Sequence, residues 1–184
     1  MDLTGDHTVE GVTGWAFDHS GGSNLADIGH DIDGIGLVRA IEAPGAQDHP
    51  NGIVGLDHVV VMTPNIDRTV AALLTMGIEP RRRRDLSRGR KPSQQVFCWA
   101  GDVILEVVGP TEAAGDGPAH IWGLALVSGD LDATVAWFGP DRCSTTAAAV
   151  QAGRRIATIH RRAIGSSTRL VVMSPHGSRG VGAP

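Results

Sequence analysis

The stretch "LDHVVVMTPNIDRT", residues 56–69, decides how this chain is read. It is an apolar run broken by His58 and closed by Thr63-Pro64-Asn65, residue types that stop a strand and start a helix. A related phrase, "IWGLALVSGDLDAT", stands at 121–134, and there Gly123 holds the place of His58. Setting Asp67 on Asp132 gives an offset of 65 residues, with Thr69/Thr134, Val70/Val135 and Ala71/Ala136 identical and Ile66/Leu131 conservative. The same offset lays "VILEVVGP" (103–110) on "TRLVVMSP" (168–175), matching Leu105/Leu170, Val107/Val172 and Pro110/Pro175. One register that fits both ends of a unit of ~50 residues indicates an internal repeat.

Each copy has a readable order. A strand over 55–62 leads to Asn65, a helix cap, and Asp67 in the first turn suits the positive helix end. Val70, Leu73 and Leu74 form an apolar stripe and Gly77 is the stop. A short strand near 78–83, a basic loop, and the strands "QQVFCWA" (94–100) and "VILEVVG" (103–109) follow, the last two joined at Gly101-Asp102. The second copy reads as strand 121–128, helix from Asp130 to about Phe138, and strands near 155–162 and 168–173. Its second strand falls near 143–150, where "CSTTAAAV" reads equally as helix. The predicted fold class is α+β: two paired βαβββ modules forming a curved mixed sheet cup with outer helices. The first module spans 51–115 and the second 116–184 with a short tail. Residues 1–50 are an amino-terminal extension with two strand-like stretches, "VEGVTGWAFDH" (9–19) and "DGIGLVRAIEA" (33–43), before the linker "PGAQDHPNG". They are read as an extra hairpin over a sheet edge or as partly disordered.

A length of 184 residues suits one ordinary domain, or two small modules sharing a core, and 41% apolar residues can fill it. Aromatics are few and tyrosine is absent, so a ligand pocket would be aliphatic with one or two of the four tryptophans. A net charge of −4 argues against nucleic acid and membrane surfaces as partners. Cys98 and Cys143 form no CxxC pair, which excludes a disulfide framework and a thiolate zinc site and reads as two buried thiols. No targeting pattern opens the chain and no apolar run nears the ~20 residues of a membrane span. A cytoplasmic, soluble protein is expected.

The paired unit, opened by "GLDHVVVMTPNIDRTVAAL" (55–73) and closed by "ILEVVGP" (104–110), resembles the vicinal oxygen chelate superfamily of glyoxalase-like and bleomycin-resistance-like proteins. The resemblance covers about 53–176. It implies that divalent metal, where present, is held by ligands from the first and last strand of each module. Those positions are His58 and Glu106 in the first copy, and Gly123 and Val171 in the second, where no side chain can ligate. A metal on His58 and Glu106 would need further ligands from water, substrate or elsewhere, with His120, His160 and His176 the nearest in sequence. Strand alternation puts His58 on a face with Leu56, Val60 and Met62, and Glu106 with Ile104 and Val108.

Three readings stand for this pair. A metal would act as Lewis acid on a substrate with neighbouring oxygens. A metal-free pocket would use His58 and Glu106 as a hydrogen-bonded pair, with Glu106 as general base beside a carbonyl. The third is a purely structural buried pair. The expected pocket adds Val60, Ile104, Trp99, Trp122, Gly123 and Val171, the last two leaving one side roomy and apolar, although core or rim packing is the plainer role for both tryptophans. "RRRRDLSRGRK" (81–91) carries seven basic residues in eleven without interleaved aromatics. It reads as a solvated hairpin tip whose charge favours anionic ligands if it folds over the cup mouth. No GxSxG elbow or glycine-rich phosphate loop is present. The expected function is therefore a glyoxalase-like small-molecule protein. It is either a lyase, isomerase or ring-opening dioxygenase of the superfamily's type, a non-catalytic drug-sequestering binder, or a degenerate structural module, and exposed sheet edges suit a homodimer.

Overall fold

The structure, a computed structural model, describes residues 12, 14–16, 31–37, 48–86 and 92–176. A small amino-terminal group, β1 (Gly14–Trp15), β2 (Asp31–Ile32) and β3 (Ile35–Leu37), comes first. Then β4 (Ile53–Met62), α1 (Ile66–Thr75), β5 (Pro80–Leu86), β6 (Ser93–Ala100) and β7 (Val103–Pro110) form one βαβββ series. The second series is β8 (His120–Ser128), α2 (Leu131–Phe138), β9 (Ala147–Ala148), β10 (Arg155–Ile159) and β11 (Arg169–Met173). The class is α+β, with two helices on a large mixed sheet.

The residues divide into two compact units, one holding β1–β3 with Val59–Trp122, the other holding Pro44–His58 and the chain from Gly123 onward. The hydrogen-bonded order is β5-β6-β7-β4 in the first and β4-β8-β11-β10-β9 in the second, β4 giving a different half to each.

The repeat is chemical as well as topological. Asn65 caps α1 by accepting the Arg68 N–H at 3.0 Å, and Asp130, 65 residues later, caps α2 by accepting the Asp132 and Ala133 N–H groups at 3.0 Å. Thr69 Oγ1 lies 2.8 Å from Thr63 Oγ1, and at the same offset Thr134 Oγ1 lies 2.7 Å from Ser128 Oγ. Each buried pair ties the end of a strand to the second turn of the next helix, satisfying hydroxyls that would otherwise be stranded.

In the first unit α1 turns Ile66, Val70 and Leu73 inward and leaves Leu74 exposed, so the buried stripe is narrower than predicted. It ends at Gly77, whose φ of +73° suits glycine. Registers place Phe97 opposite Glu106, Trp99 opposite Ile104, Arg82 opposite Phe97 and Arg84 opposite Gln95. Val96, Cys98, Leu105 and Val107 are thus the buried face, on the α1 side. Gln95, Phe97, Trp99, Ile104, Glu106 and Val108 share the other face, half-buried or exposed. Strand β5 runs to Leu86, beyond the predicted 83, so Arg84 and Asp85 join Arg81–Arg83 in it, because pairing with β6 extends the strand. Residues 87–91 lie outside the described residues.

In the second unit β8 and β11 are parallel, from Gly123 opposite Arg169 to Val127 opposite Met173, and β10 runs antiparallel to β11. Leu131, Cys143, Ala157, Ile159 and Val172 form its core, with Ile53, Val135, Phe138 and Leu170 packed on it. The ambiguous stretch is extended, not helical. Cys143 bridges Ile159, the Ser144 N–H donates to the Thr158 carbonyl at 2.9 Å, and β9 pairs with β10. Pairing outweighs the helix propensity of its alanines. Strand β10 stops at Ile159, short of the expected 162, because His160 opens a 3-10 turn over Arg161–Ile164.

The turn between β2 and β3, Asp33-Gly34, has positive φ at both residues, 52° and 89°, as a two-residue hairpin requires. Asp33 accepts from Arg68 Nε at 2.7 Å and from the Thr69 hydroxyl, and its carbonyl accepts the Ala119 N–H at 2.8 Å. The hairpin is anchored on the first turn of α1. The flanks of both amino-terminal strand-like stretches lie outside the described residues. Cys98 and Cys143 are free and buried, and burial pushes both thiols above their ordinary range. Among the described residues no helix is long and apolar enough to cross a membrane.

Candidate functional site

His58 does not stand alone on its strand. Its Nδ1 lies 2.8 Å from Oδ2 of Asp57, the residue before it, whose side chain is only 1% exposed. A tautomer that donates from Nδ1 carries its lone pair on Nε2, the nitrogen able to take a proton or ligate a metal. Asp57 is held in turn by Arg154, whose Nη2 lies 2.7 Å from Oδ1 and whose side chain is 3% exposed. The guanidinium is fully committed: Nε and Nη2 donate to the Ser174 carbonyl at 2.9 and 2.8 Å, and Nη1 donates to Gln151 Oε1 at 2.6 Å. Burial by itself would raise the Asp57 carboxyl. Hydrogen bonds from His58 and Arg154, with the charge of Arg154, outweigh it and hold the group well below the usual carboxylate range. His176 completes the cluster, its Nε2 3.2 Å from both Arg154 Nη1 and Asp57 Oδ1. That nitrogen accepts from the first or donates to the second, and one proton decides which.

The other predicted site residue, Glu106, belongs to the first unit. It stands half-buried on β7 and accepts a hydrogen bond from Gln95 Nε2 on β6. Gln95 Oε1 is buried without a hydrogen-bond partner among the described residues. Trp99, 49% exposed, and Ile104 are cross-strand neighbours on the same face. Val60 is half-buried on β4 and Trp122 is exposed near the start of β8. Val171 is half-buried, in register with Ala125. A Cβ on Gly123 would lie 2.8 Å from the Arg169 carbonyl oxygen, so this glycine admits the close approach of β11.

Sequence reasoning picked out His58, Glu106 and His176 but missed Asp57, Arg154 and Gln95. Asp57 was visible as a second charge inside an apolar strand. Nothing in the sequence marked Arg154 among sixteen lysines and arginines. Of the other histidine candidates, His160 Nδ1 lies 3.0 Å from the Asp141 carbonyl and His120 is exposed. Of the four family ligand positions, two carry donors. Among the described residues no three His, Cys, Asp or Glu side chains group so as to hold a metal ion. The donor set does not fit a four-ligand site.

A family model described as the Glyoxalase/Bleomycin resistance protein/Dioxygenase superfamily matches residues 57–158. No curated protein matches the sequence. Among solved structures, methylmalonyl-CoA epimerase from Mycobacterium tuberculosis aligns at 16% identity and a TM-score of 0.54, over 71% of this chain and 94% of its own. A mutant of 4-hydroxymandelate synthase from Streptomyces coelicolor aligns at 12% identity and a TM-score of 0.54, over 79% of this chain and 58% of its own. A hypothetical protein from Bacillus halodurans aligns at 14% and 0.51, over 66% and 94%. At these identities the likeness is one of fold.

Proposed function

Because the chain belongs to the glyoxalase/bleomycin resistance protein/dioxygenase superfamily, we propose that it is an enzyme acting on a small molecule. In this reading Glu106 moves a proton at a carbon beside a carbonyl. The observation that carries it is the Glu106–Gln95 pair: a carboxylate on a half-buried sheet face, oriented by an amide whose own oxygen has no partner among the described residues. Apolar neighbours and one oriented base are what proton removal from carbon requires. The proton leaves carbon for the Glu106 carboxylate, an enolate forms, the Glu106 proton exchanges with water, and a proton returns to carbon, so an isomerase or epimerase reaction balances without a co-reactant. His58 is oriented within its own unit by the contact of its Nδ1 with Asp57. For a divalent ion Gly123 and Val171 add no donors, so the proton transfer is assigned to the Glu106 side chain itself.

Solvent deuterium incorporation into a panel of 2-oxo acids, 2-hydroxy ketones and acyl thioesters, followed by proton NMR, tests this. Exchange by the wild type that disappears in a folded Glu106→Gln variant is expected. Equal exchange by both proteins would overturn the role of Glu106. A second reading, sequestration without chemistry, is favoured by the two donor-less ligand positions. It predicts that panel compounds raise the melting temperature with no exchange.

A further inference from the structure

The basic run that sequence reading treated as a loop tip has a definite placement, and it bears on which molecules the first unit takes. Strand β5 is the last strand in its order, and Arg81–Arg84 on it are all exposed. Pairing with β6 sorts three of them by face. Arg83 stands opposite Val96 on the α1 side, where it pairs with Asp67 at 3.2 Å and donates to Gln94 at 3.0 Å. Arg82 and Arg84 stand opposite Phe97 and Gln95, on the face that carries Trp99, Ile104 and Glu106. Among the described residues neither Arg82 nor Arg84 has a hydrogen-bond or ion-pair partner.

Charge on an edge strand protects it from pairing with other chains, and that purpose is served by arginines on either face. It does not account for what Arg82 and Arg84 stand beside. Across the strands the order is Arg82 and Arg84 on β5, then Gln95, half-buried Phe97 and exposed Trp99 on β6, then Ile104 and the Glu106 carboxylate on β7. Two strand spacings, about 10 Å, separate the cationic row from the carboxylate. An anion is attracted at one end and repelled at the other, and the aromatic stretch lies between.

We propose that this face binds small molecules bearing a carboxylate, sulfonate or phosphate at one end of an apolar or aromatic body. Arg82 and Arg84 take the acidic group, and Phe97 and Trp99 take the body. The proposal rests on the reading of this face as a ligand surface, and it adds the substrate class and the orientation: the acidic group lies away from Glu106, with the reacting end toward it.

Two dyes that differ chiefly in one charge test it. Both 8-anilinonaphthalene-1-sulfonate and uncharged N-phenyl-1-naphthylamine carry an aromatic body and an N–H, and each is titrated by its own fluorescence at low and moderate salt. The wild type is expected to prefer the sulfonate, more so at low salt. The Arg82→Gln/Arg84→Gln variant should lose roughly tenfold in sulfonate affinity, the scale of two exposed charge-assisted contacts, and hold the neutral dye unchanged. Arg83→Gln, which removes a charge from the opposite face, should change neither. An equal loss per charge in Arg83→Gln would mean that net charge alone is felt, and would overturn the proposal. So would parallel weakening of both dyes. Displacement of the sulfonate by oligothymidylate with affinity rising with length would replace it with a nucleic-acid surface. Discrimination between the dyes in Glu106→Gln separates the two readings: if deuterium exchange is never found but discrimination persists, the anion surface stands without the catalytic role.

Discussion

The Asp57–Arg154 pair permits a prediction whose size and sign both follow from the structure. Substituting Arg154→Met keeps much of the volume but removes the guanidinium facing a carboxylate that is 1% exposed. Removing one partner of a buried pair costs ~3–5 kcal/mol, because the remaining charge is left in a poorly solvating place. Here the Ser174 carbonyl also loses two donors, which puts the expected loss at about 4 kcal/mol. In a domain of this size that lowers the melting temperature by roughly 10 °C. The pH dependence is a sharper check. In the wild type the folded Asp57 carboxyl titrates below its unfolded value, so its contribution is present above about pH 4 and is lost as pH falls through the lower folded value. Without Arg154, desolvation remains while part of what opposed it is gone, and the ionised carboxylate becomes a penalty that protonation relieves. The gap between wild type and variant should be widest near pH 7 and should narrow below about pH 4. Urea melts at several pH values measure it, with Asp57→Asn and the double variant completing a cycle whose coupling should exceed ~1 kcal/mol. A loss under ~1 kcal/mol in Arg154→Met, or simple additivity in the cycle, would refute the reasoning.

The duplicated hydroxyl pairs should behave alike: Thr69→Val and Thr134→Val each leave a buried partner without its bond, costing ~1–3 kcal/mol in urea denaturation. Asn65→Ala and Asp130→Ala remove the helix caps, and each should lower stability by ~1 kcal/mol by the same assay. Gly123→Ala places a methyl group 2.8 Å from the Arg169 carbonyl oxygen, so β8 and β11 must part, with a loss of ~1–3 kcal/mol in thermal melts. A neutral result there would mean that the strands yield easily and that Gly123 has another role.

The fold was legible because its carriers are local and occur twice. Asn65 and Asp130, Thr69 and Thr134, and the paired strand ends mark both series in the sequence itself, and the family resemblance agrees with them. What stayed hidden depends on pairing between distant segments. The alanines of 143–150 read as strand or helix until Cys143 meets Ile159, and Arg84 and Asp85 read as the start of a loop until β6 pairs with them. The site divides the same way. His58 and Glu106 are conspicuous because polar residues interrupt apolar strands. Arg154 is one arginine among many, and its importance comes from lying 2.7 Å from Asp57, 97 positions away in sequence. Gln95 became informative only when one amide end was found engaged and the other not.

The two cysteines, finally, make a pair of reporters. Cys98 lies in the first unit and Cys143 in the second, both buried and both with thiols that resist ionising. A thiolate-selective alkylating reagent therefore meets almost no target in the native protein and reacts at each position only when its surroundings open. Peptide mapping of alkylation at increasing urea would follow the two halves by one chemistry in one sample. Equal opening free energies at the two thiols would mean that the repeat unfolds as a single cooperative body. Different values would show which copy lets go first, in a protein whose own sequence supplies both labels.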